Sequence, residues 1–142
     1  MAYLVFRRRL TIEWGHCDPA GIVFNSRYFE YFDWSTTLLF QAALGFGKPE
    51  LQAKFDADMP LVDARAKFLR SASYGDEVEI ASTIGEFRRS SFDVQHRLSK
   101  DGELAVEGVE TRVWVGRDAN DPAQFRAKPL PGELIDAFKA SS

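Results

Sequence analysis

The sequence has few metal ligands, with one Cys and two His among its 142 residues. One cysteine excludes an internal disulfide, and these three side chains alone are too few for a structural zinc site. No apolar run approaches the roughly 20 residues that cross a bilayer. The first nine residues contain three arginines and lack the apolar stretch and cleavage site of a secretory signal. We therefore expect one cytoplasmic domain over residues 1–142, with no metal site and no membrane contact.

An excess of positive charge is also missing, because 18 Lys and Arg are outweighed by 21 Asp and Glu. The net charge of -3 and the pI near 5.4 argue against a nucleic-acid-binding protein, which normally carries a strongly basic face. We interpret the three arginines at positions 7–9 as the solvated edge of a strand, where charge discourages aggregation. The content of 45% hydrophobic and 27% charged residues is that of a globular protein.

Aromatic residues concentrate between positions 28 and 44, a segment with no Gly or Pro before Gly45. Apolar residues cover most of the circumference that this segment would have as a helix, which predicts a helix buried on most sides. Gly45 is typical of the residue that follows a helix. The only charges in the segment are Glu30 and Asp33. An acid on such a helix needs a partner or a ligand, unless both acids face water along one polar stripe.

The rest of the sequence alternates apolar and polar residues, which is typical of strands. The alternation covers positions 4–14, 60–71, 77–84, 92–97 and 104–115. Its parity changes near Gly108, which predicts a β-bulge there. Turns are predicted at positions 73–76 and 100–103, and a short helix near Pro131 within 129–140. This order predicts an α+β fold with one long central helix and an antiparallel sheet of about five strands, whose uncovered edges favour self-association.

The segment between the first strand and the central helix, positions 14–25, has the strongest functional signal. Pro19 and Gly21 predict a turn after Asp18, and Asn25 or Ser26 is expected to cap the helix that follows. Asp18 would then lie beside the N–H groups of a helix N-terminus. A carboxylate there can attack an acyl carbon or activate water, while the N–H groups stabilise an oxyanion. The alternative is that Asp18 only takes part in the turn.

One motif and several weaker blocks are similar to those of a known family. The motif is Asp18-Pro19-Ala20-Gly21-Ile22-Val23, followed by Tyr28 and Asp33. The blocks are Ala72-Ser73-Tyr74 with Asp76, then Glu86-Phe87-Arg88-Arg89-Ser90-Ser91-Phe92, and His96. Over about residues 10–115 the sequence therefore resembles the 4-hydroxybenzoyl-CoA thioesterase family of hotdog-fold proteins. The resemblance implies a curved antiparallel sheet around one long helix, and hydrolysis of an acyl-CoA thioester to a carboxylic acid and free CoA.

The resemblance also implies catalytic and acyl-binding roles for single residues. Asp18 is expected to be the catalytic carboxylate, either as nucleophile or as general base for water. The backbone N–H near Asn25 is expected to polarise the thioester carbonyl. Asp33 corresponds to the family residue near the ring hydroxyl of the substrate, so the expected substrate is an aromatic acyl-CoA such as 4-hydroxybenzoyl-CoA. The family works as a homodimer or a dimer of dimers, with the acyl group between two subunits.

Arg88 and Arg89 resemble the pair of residues that contacts the phosphates of CoA, and Ser91 of the same block is assigned to the substrate with them. Without the resemblance, the two arginines are typical of a solvated turn. Adjacent side chains on a strand diverge, so a given phosphate is expected to meet one of the two. No cofactor is expected beyond the CoA that belongs to the substrate.

Three positions differ from the family's aryl enzyme. Ser90 stands where that enzyme has a basic residue, Asn25 where it has Tyr, and Phe46 where it has Trp. These differences leave open a thioesterase of the same fold that acts on short or medium aliphatic acyl-CoA esters. A further alternative is a hotdog protein that binds acyl-CoA without hydrolysing it, although the intact motif at Asp18 argues against this.

His16, Cys17 and Asp18 are adjacent, but neighbouring side chains on an extended chain point to opposite faces and do not readily converge. We interpret Cys17 as a buried filler. His16 is expected to be a surface or half-buried residue, with orientation of Asp18 as the alternative. His96 shares the parity of apolar strand residues, which favours a hydrogen-bonded core histidine over a catalyst.

Overall fold

The computed structural model describes residues 2–121 and 123–139 and shows one long helix packed against a five-stranded antiparallel sheet. The helices are α1 Asn25–Leu44, α2 Lys48–Phe55 and α3 Gly132–Ala137. The strands are β1 Val5–Thr11, β2 Ala57–Asp58, β3 Leu61–Phe68, β4 Glu77–Phe87, β5 Ser91–Lys100, β6 Glu103–Val113, β7 Val115–Arg117 and β8 Phe125–Ala127. The main sheet has the order β1-β4-β5-β6-β3. This is the α+β arrangement that the sequence predicts.

Helix α1 begins three residues earlier than predicted and ends at Leu44, as predicted. Gly45 follows with a φ of +83°, and its N–H donates to the Gln41 carbonyl. The predicted side-chain cap is wrong. Phe24 takes the N-cap position without a side-chain hydrogen bond, because Asn25 and Ser26 already lie in the first turn.

The buried face of α1 is broad, and each large apolar side chain on it contributes about 1.5–3 kcal/mol to stability. Its buried residues are Tyr28, Tyr31, Phe32, Ser35, Thr36, Leu39 and Phe40. The inward residues of strands β4 and β5 face this helix with the predicted parity. They include Val78, Ile80, Ile84, Phe92, Val94, His96 and Leu98. His96 is therefore a core residue, as expected.

The bulge predicted near Gly108 is present in β6 but lies three residues earlier, at Ala105. Strand β6 pairs with β5 without a shift from Val106 to Val113, so Gly108, Glu110 and Arg112 all face α1. The apolar parity changes there because two charged residues occupy the inner face. The register shift lies between the pairs Leu98–Val106 and Ser99–Leu104, which leaves Ala105 without a partner on β5.

Strand β1 is shorter than predicted, and its three arginines differ from one another. Arg7 and Arg9 are exposed, as expected for a solvated edge. Arg8 points inward instead and donates to the Ser35 hydroxyl at 2.8 Å and to the carbonyl of Tyr31 at 2.9 Å. Trp14 is not on the strand, because it lies in a 3-10 turn over Trp14–His16 and is 60% exposed.

Helix α2 and a small sheet of order β2-β7-β8 were not predicted. Strands of two or three residues are too short to show periodicity. Helix α3 is the helix predicted near Pro131, which precedes its first residue, while position 140 lies outside the described residues. The predicted turns are present, with φ of +86° at Gly75 and +77° at Gly102.

The two edges of the main sheet are covered differently. Beside β1, the Leu4 N–H donates to the Phe138 carbonyl at 2.7 Å, so the end of α3 covers part of that edge. Within the described residues no strand pairs with the outer side of β3, and all of its residues except Ala66 are exposed. Among the helices of residues 2–121 and 123–139, none has the length and apolar character to cross a membrane.

Candidate active site

Asp18 lies in a tight turn between β1 and α1. The Gly21 N–H donates to the Asp18 carbonyl at 2.9 Å, and the Asp18 N–H donates to the Ile22 carbonyl at 2.9 Å. Gly21 has a φ of +84°, which glycine adopts without strain. The turn predicted from Pro19 and Gly21 is confirmed.

Backbone hydrogen bonds hold this turn against the start of α1 and against the loop before β4. The Phe24 N–H donates to the His16 carbonyl at 3.0 Å. The Val23 N–H donates to the Ala72 carbonyl at 2.8 Å, and the Tyr74 N–H donates to a carbonyl of the turn at 2.9 Å. The position of Asp18 is therefore fixed by two neighbouring segments.

The Asp18 carboxylate is half-buried, and one of its oxygens is already used. Oδ1 accepts the Ala20 N–H at 2.8 Å, whereas Oδ2 has no hydrogen bond within residues 2–121 and 123–139. The side chain borders a depression of about 410 Å³ that Phe24, Ser26 and Arg27 also line. The carboxylate and the start of α1 therefore face one depression, as predicted. The N–H groups at the start of a helix have no partner within the helix, so they are available as donors there.

The Asn25 side chain lies elsewhere. It is exposed and lines a second depression of about 320 Å³, together with Tyr28, Phe68 and Arg70. The part of α1 that lines the Asp18 depression is its first turn at Ser26 and Arg27. Within one chain the backbone of this turn, rather than the Asn25 side chain, is next to Asp18.

His16 and Tyr31 form a hydrogen-bonded pair beside Asp18, a contact that the sequence did not predict. The Nδ1 atom of His16 lies 2.8 Å from the Tyr31 hydroxyl, and His16 lines the same depression as Asp18. Burial raises the pKa of Tyr31 to about 12, so the phenol keeps its proton at neutral pH. Cys17 is half-buried rather than buried, and its thiol lies 3.6 Å from the Glu13 carbonyl.

Arg88 is surrounded by acceptors at the turn between β4 and β5. Its guanidinium donates to both Asp93 carboxylate oxygens at 2.8 and 3.1 Å, to Glu86 at 3.1 Å and to the Ser91 hydroxyl at 2.8 Å. The hydrogen bonds with Asp93 raise the pKa of Arg88 above its usual value. Arg89 is exposed and makes no ion pair in the described part of the chain. One turn therefore holds all three residues assigned to CoA, but two carboxylates already neutralise Arg88.

A single chain does not bring this turn to Asp18. The Asp18 turn is bonded to the loop before β4, whereas Arg88 follows the far end of that strand. Strand β4 has 11 residues, which at about 3.3 Å per residue separate its two ends by roughly 30 Å.

Asp33 lies about two turns along α1 from its start, roughly 12 Å along the helix axis. The carboxylate oxygen Oδ1 accepts a hydrogen bond from Arg112 on β6 at 2.6 Å. The Asp33 side chain is 52% exposed and that of Arg112 is 8% exposed. Asp33 lines neither of the depressions at the start of α1. The partner that the sequence required for this acid is Arg112, while Glu30 pairs with Arg27.

Behind Arg112 lies a buried polar cluster that the sequence did not predict. The Arg112 guanidinium donates to Glu110 Oε2 at 2.9 Å. The other oxygen of Glu110 accepts the Thr36 hydroxyl and lies 3.1 Å from Nε2 of His96. The Nδ1 atom of His96 is 2.7 Å from the Ser82 hydroxyl. The signal that could have revealed this cluster is that Glu110 and Arg112 keep the inward parity of β6.

Hydrogen bonds determine the charge states of Glu110 and Arg112 in this cluster. Burial by itself raises the pKa of Glu110, but the hydrogen bonds from His96 and Arg112 outweigh it and lower the pKa from 4.5 to about 2. Burial by itself lowers the pKa of Arg112, and the contacts with Glu110 and Asp33 outweigh it and raise the pKa. Both groups are therefore ionised at neutral pH.

Among residues 2–121 and 123–139 there is no group of three or more His, Cys, Asp or Glu side chains placed to hold a metal ion. The groups that line the depression beside Asp18 include the first turn of α1 and His16, which is hydrogen-bonded to Tyr31.

The chain is similar to known proteins over most of its length. Residues 12–138 match the thioesterase-like superfamily. The chain is 32% identical to the 4-hydroxybenzoyl-CoA thioesterase of Pseudomonas sp. strain CBS-3, with 88% of this chain and 91% of that protein covered.

Two solved structures extend the similarity to three dimensions. One is an Asp-to-Asn mutant of 4-hydroxybenzoyl-CoA thioesterase complexed with 4-hydroxybenzoyl-CoA, with a TM-score of 0.85, 28% identity, and coverage of 95% of this chain and 99% of that chain. The other is a gentisyl-coenzyme A thioesterase, with a TM-score of 0.77, 30% identity, and coverage of 94% and 98%. The expected wrapping of one helix by a curved sheet is confirmed.

Proposed function

Because the chain belongs to the thioesterase-like superfamily and is an acyl-CoA thioesterase of the hotdog fold, we propose that its substrate is an aromatic acyl-CoA such as 4-hydroxybenzoyl-CoA. The products are the aromatic carboxylic acid and free CoA. The observation that carries the proposal is the Asp18 carboxylate, which faces the start of α1 across one depression and keeps Oδ2 available. The membership in a thioesterase family removes the alternative of a protein that binds acyl-CoA without hydrolysing it.

We propose that the thioester carbonyl accepts hydrogen bonds from the backbone N–H groups of the first turn of α1, near Asn25 and Ser26. These donors stabilise the negative charge that develops on the carbonyl oxygen. In one route Asp18 attacks the acyl carbon, the C–S bond breaks, CoA leaves as a thiolate, and water hydrolyses the mixed anhydride. In the other route Asp18 takes a proton from water as the water attacks the acyl carbon, and the C–S bond then breaks with release of the CoA thiolate. A thiolate is a good leaving group, so neither route requires a metal or another cofactor.

The aromatic assignment is supported by the activities for which two relatives of similar identity are named. Both a 4-hydroxybenzoyl-CoA thioesterase and a gentisyl-CoA thioesterase act on hydroxylated aromatic acyl groups. Asp33 supports the same assignment, because its half-exposed carboxylate can accept a hydrogen bond from a ring hydroxyl. A short or medium aliphatic acyl-CoA remains the alternative, since Asn25 and Phe46 replace two aromatic residues of the aryl enzyme.

We further propose a homodimer or a dimer of dimers that shares each active site between subunits. Within one chain, Asp33 and the turn that carries Arg88, Arg89 and Ser91 lie away from the Asp18 depression. A second subunit can supply them to one bound acyl-CoA. Among the two arginines Arg89 is the better candidate for a CoA phosphate, because Arg88 is held by Asp93 and Glu86. The cytoplasmic location stays a prediction from the sequence.

The proposal is tested by measuring hydrolysis of 4-hydroxybenzoyl-CoA, benzoyl-CoA and butyryl-CoA with the wild-type protein and Asp18→Asn. Loss of thioester absorbance is the preferred readout, because Cys17 beside Asp18 is a thiol that dyes for free CoA also modify. We expect the wild type to prefer the aromatic esters. Asp18→Asn should lower kcat by roughly 10²–10⁴-fold while binding of the substrate changes little.

A matched control is Asp101→Asn, in the exposed hairpin turn between β5 and β6. Asp101 has a φ of +53°, which Asn tolerates equally well, so this variant should keep wild-type kinetics. Wild-type kcat in Asp18→Asn would overturn the catalytic assignment. Faster turnover of butyryl-CoA than of both aromatic esters would replace the aromatic substrate with an aliphatic one.

A further inference from the structure

One oxygen of the Asp33 carboxylate accepts a hydrogen bond within the chain, and the other is open to a ligand. Its Oδ1 atom accepts a hydrogen bond from Arg112 at 2.6 Å, and Oδ2 has no hydrogen bond in the described ranges. Since the side chain is 52% exposed, a ligand can reach Oδ2. An ionised carboxylate only accepts hydrogen bonds, so the open oxygen favours a group that carries an O–H or N–H.

The Arg112 guanidinium is held in place by two further hydrogen-bond acceptors. Its side chain is 8% exposed, and it donates to Glu110 at 2.9 Å and to the Met59 carbonyl at 3.1 Å. Glu110 is held in turn by Thr36 and His96. The guanidinium fork therefore has one orientation, and that orientation determines where the Asp33 carboxylate lies.

We propose that Arg112 is a positioning residue, which acts through Asp33 to make the enzyme prefer aroyl-CoA esters that carry a ring hydroxyl. This inference rests on the proposed function, since it assumes that Asp33 meets the acyl ring. It goes further by assigning the hydroxyl preference to the pair of Asp33 and Arg112 rather than to Asp33 alone.

The charges around Asp33 favour a neutral hydroxyl over other ring substituents. Arg112 is shared by the carboxylates of Asp33 and Glu110, so its positive charge is already compensated and does not attract an anionic substituent. A phenol donates one hydrogen bond to Oδ2 without bringing a charge. A hydrogen bond to a charged acceptor contributes about tenfold or more in selectivity against a substrate that lacks the donor.

The experiment is a double-mutant cycle of Asp33→Ala and Arg112→Lys. Its readout is the ratio of kcat/KM for 4-hydroxybenzoyl-CoA to kcat/KM for benzoyl-CoA. Lysine keeps the positive charge beside Glu110 but lacks the planar fork that reaches Asp33, Glu110 and Met59 together. We expect each single variant to lower the ratio by about tenfold. The double variant should show the ratio of Asp33→Ala alone, because Arg112 acts through Asp33.

A matched control is Arg7→Lys, on the exposed outer side of β1, where Arg7 pairs with Glu79 at 3.0 Å. It should keep the wild-type ratio. General damage to the fold lowers turnover of both esters and leaves the ratio unchanged, so it does not imitate the expected result. An unchanged ratio in Arg112→Lys, or independent losses that multiply in the double variant, would overturn the inference.

The outcome also separates this inference from the proposed function. No hydrolysis of either aromatic ester by the wild type means that the proposed function has failed. Hydrolysis with a hydroxyl preference that only Asp33→Ala abolishes leaves the proposed function standing and refutes the role of Arg112. Hydrolysis of both esters at equal rates by the wild type refutes the inference alone.

Discussion

Glu110 is the residue on which the buried polar cluster depends, because it joins Arg112 on one side to Thr36 and His96 on the other. Its side chain is 4% exposed. An unpaired carboxylate at such a depth is strongly unfavourable. Here hydrogen bonds and the charge of Arg112 reverse that effect and lower the pKa from 4.5 to about 2. The folded state therefore releases the proton of this group more readily than the unfolded chain does.

We predict that this difference makes the protein less stable in acid. As the pH falls from about 5 to 2, the unfolded chain takes up the proton first, so the stabilisation present at neutral pH is lost over this range. The lowered pKa corresponds to about 3 kcal/mol of unfolding free energy. Chemical denaturation at pH values from 7 to 2 measures it, and Glu110→Gln should show a shallower decrease than the wild type.

The control for this prediction is Glu133→Gln, which removes an exposed glutamate on α3 whose nearest cation is Lys54 at 3.4 Å. Its decrease should match that of the wild type. If Glu110→Gln loses as much unfolding free energy toward acid as the wild type does, another group is responsible for the acid sensitivity.

The sequence predicted Asp18 but not the cluster around Glu110, and the reason lies in how each residue is positioned. Local chemistry determines the turn at Asp18, because Pro19 and Gly21 are adjacent to it. The contacts of Arg112 with Asp33 and Met59 join residues 79 and 53 positions apart. Only the completed sheet brings such residues together, so periodicity could at most show that Glu110 and Arg112 point inward.

At the scale of the elements, the spacing between α1 and β6 depends on Gly108. A Cβ atom at this position would lie 2.6 Å from Cε2 of Phe32 and 2.8 Å from Cδ2. The Phe32 ring stacks on His96 with centroids 4.8 Å apart, so it cannot move away without disturbing the polar cluster. Glycine is therefore required here by close packing and not by its backbone conformation.

We predict that Gly108→Ala lowers the unfolding free energy by about 1–3 kcal/mol, the usual cost of overpacking a core. Urea denaturation measures the change. Gly132→Ala is the control, because a Cβ atom there has nothing within 4 Å, and it should leave stability nearly unchanged. Phe32→Leu in the Gly108→Ala background should recover part of the loss. A Gly108→Ala protein as stable as the wild type would show that α1 is not held at this distance.

The elements with many residues were predictable and the shortest were not. Helix α1 has 20 residues and an uninterrupted aromatic pattern, and only its start was placed three residues too late. Strands β2, β7 and β8 have two or three residues each, and their pairing with one another depends on contacts distant in sequence. The bulge in β6 was predicted three residues too late, because charged residues on the inner face of this strand change the apolar parity near Gly108.

At the scale of the whole molecule, the unpaired edge of β3 is the feature that one chain leaves unexplained. Two residues of this edge, Leu61 and Val62, are 45% and 58% exposed, and Leu69 just beyond it is 56% exposed. An exposed apolar strand edge favours pairing with another strand. The proposed homodimer provides such a strand through a second copy of β3, whereas the end of α3 already covers part of β1.

We predict that the variant Val62→Lys/Leu69→Lys dissociates the dimer and lowers thioesterase activity to the same extent. Both side chains are exposed in one chain, so the fold should tolerate the change, whereas two like charges per subunit would face each other across the two-fold axis. Each lost apolar contact raises the dissociation constant about tenfold or more. Sedimentation velocity and ester hydrolysis, measured over the same range of protein concentrations, test both parts of the prediction.

The control is Val5→Lys on β1, a valine that is 44% exposed at the opposite edge of the sheet. It introduces the same charge and should leave both the dimer and the activity intact. A dimer that survives in the β3 variant would place the interface elsewhere on the surface. Full activity in a monomeric β3 variant would contradict the shared active site, because one chain separates the Asp18 depression from the turn at Arg89 by the length of β4. The loss of activity together with dissociation is therefore the result that connects the exposed strand edge to catalysis.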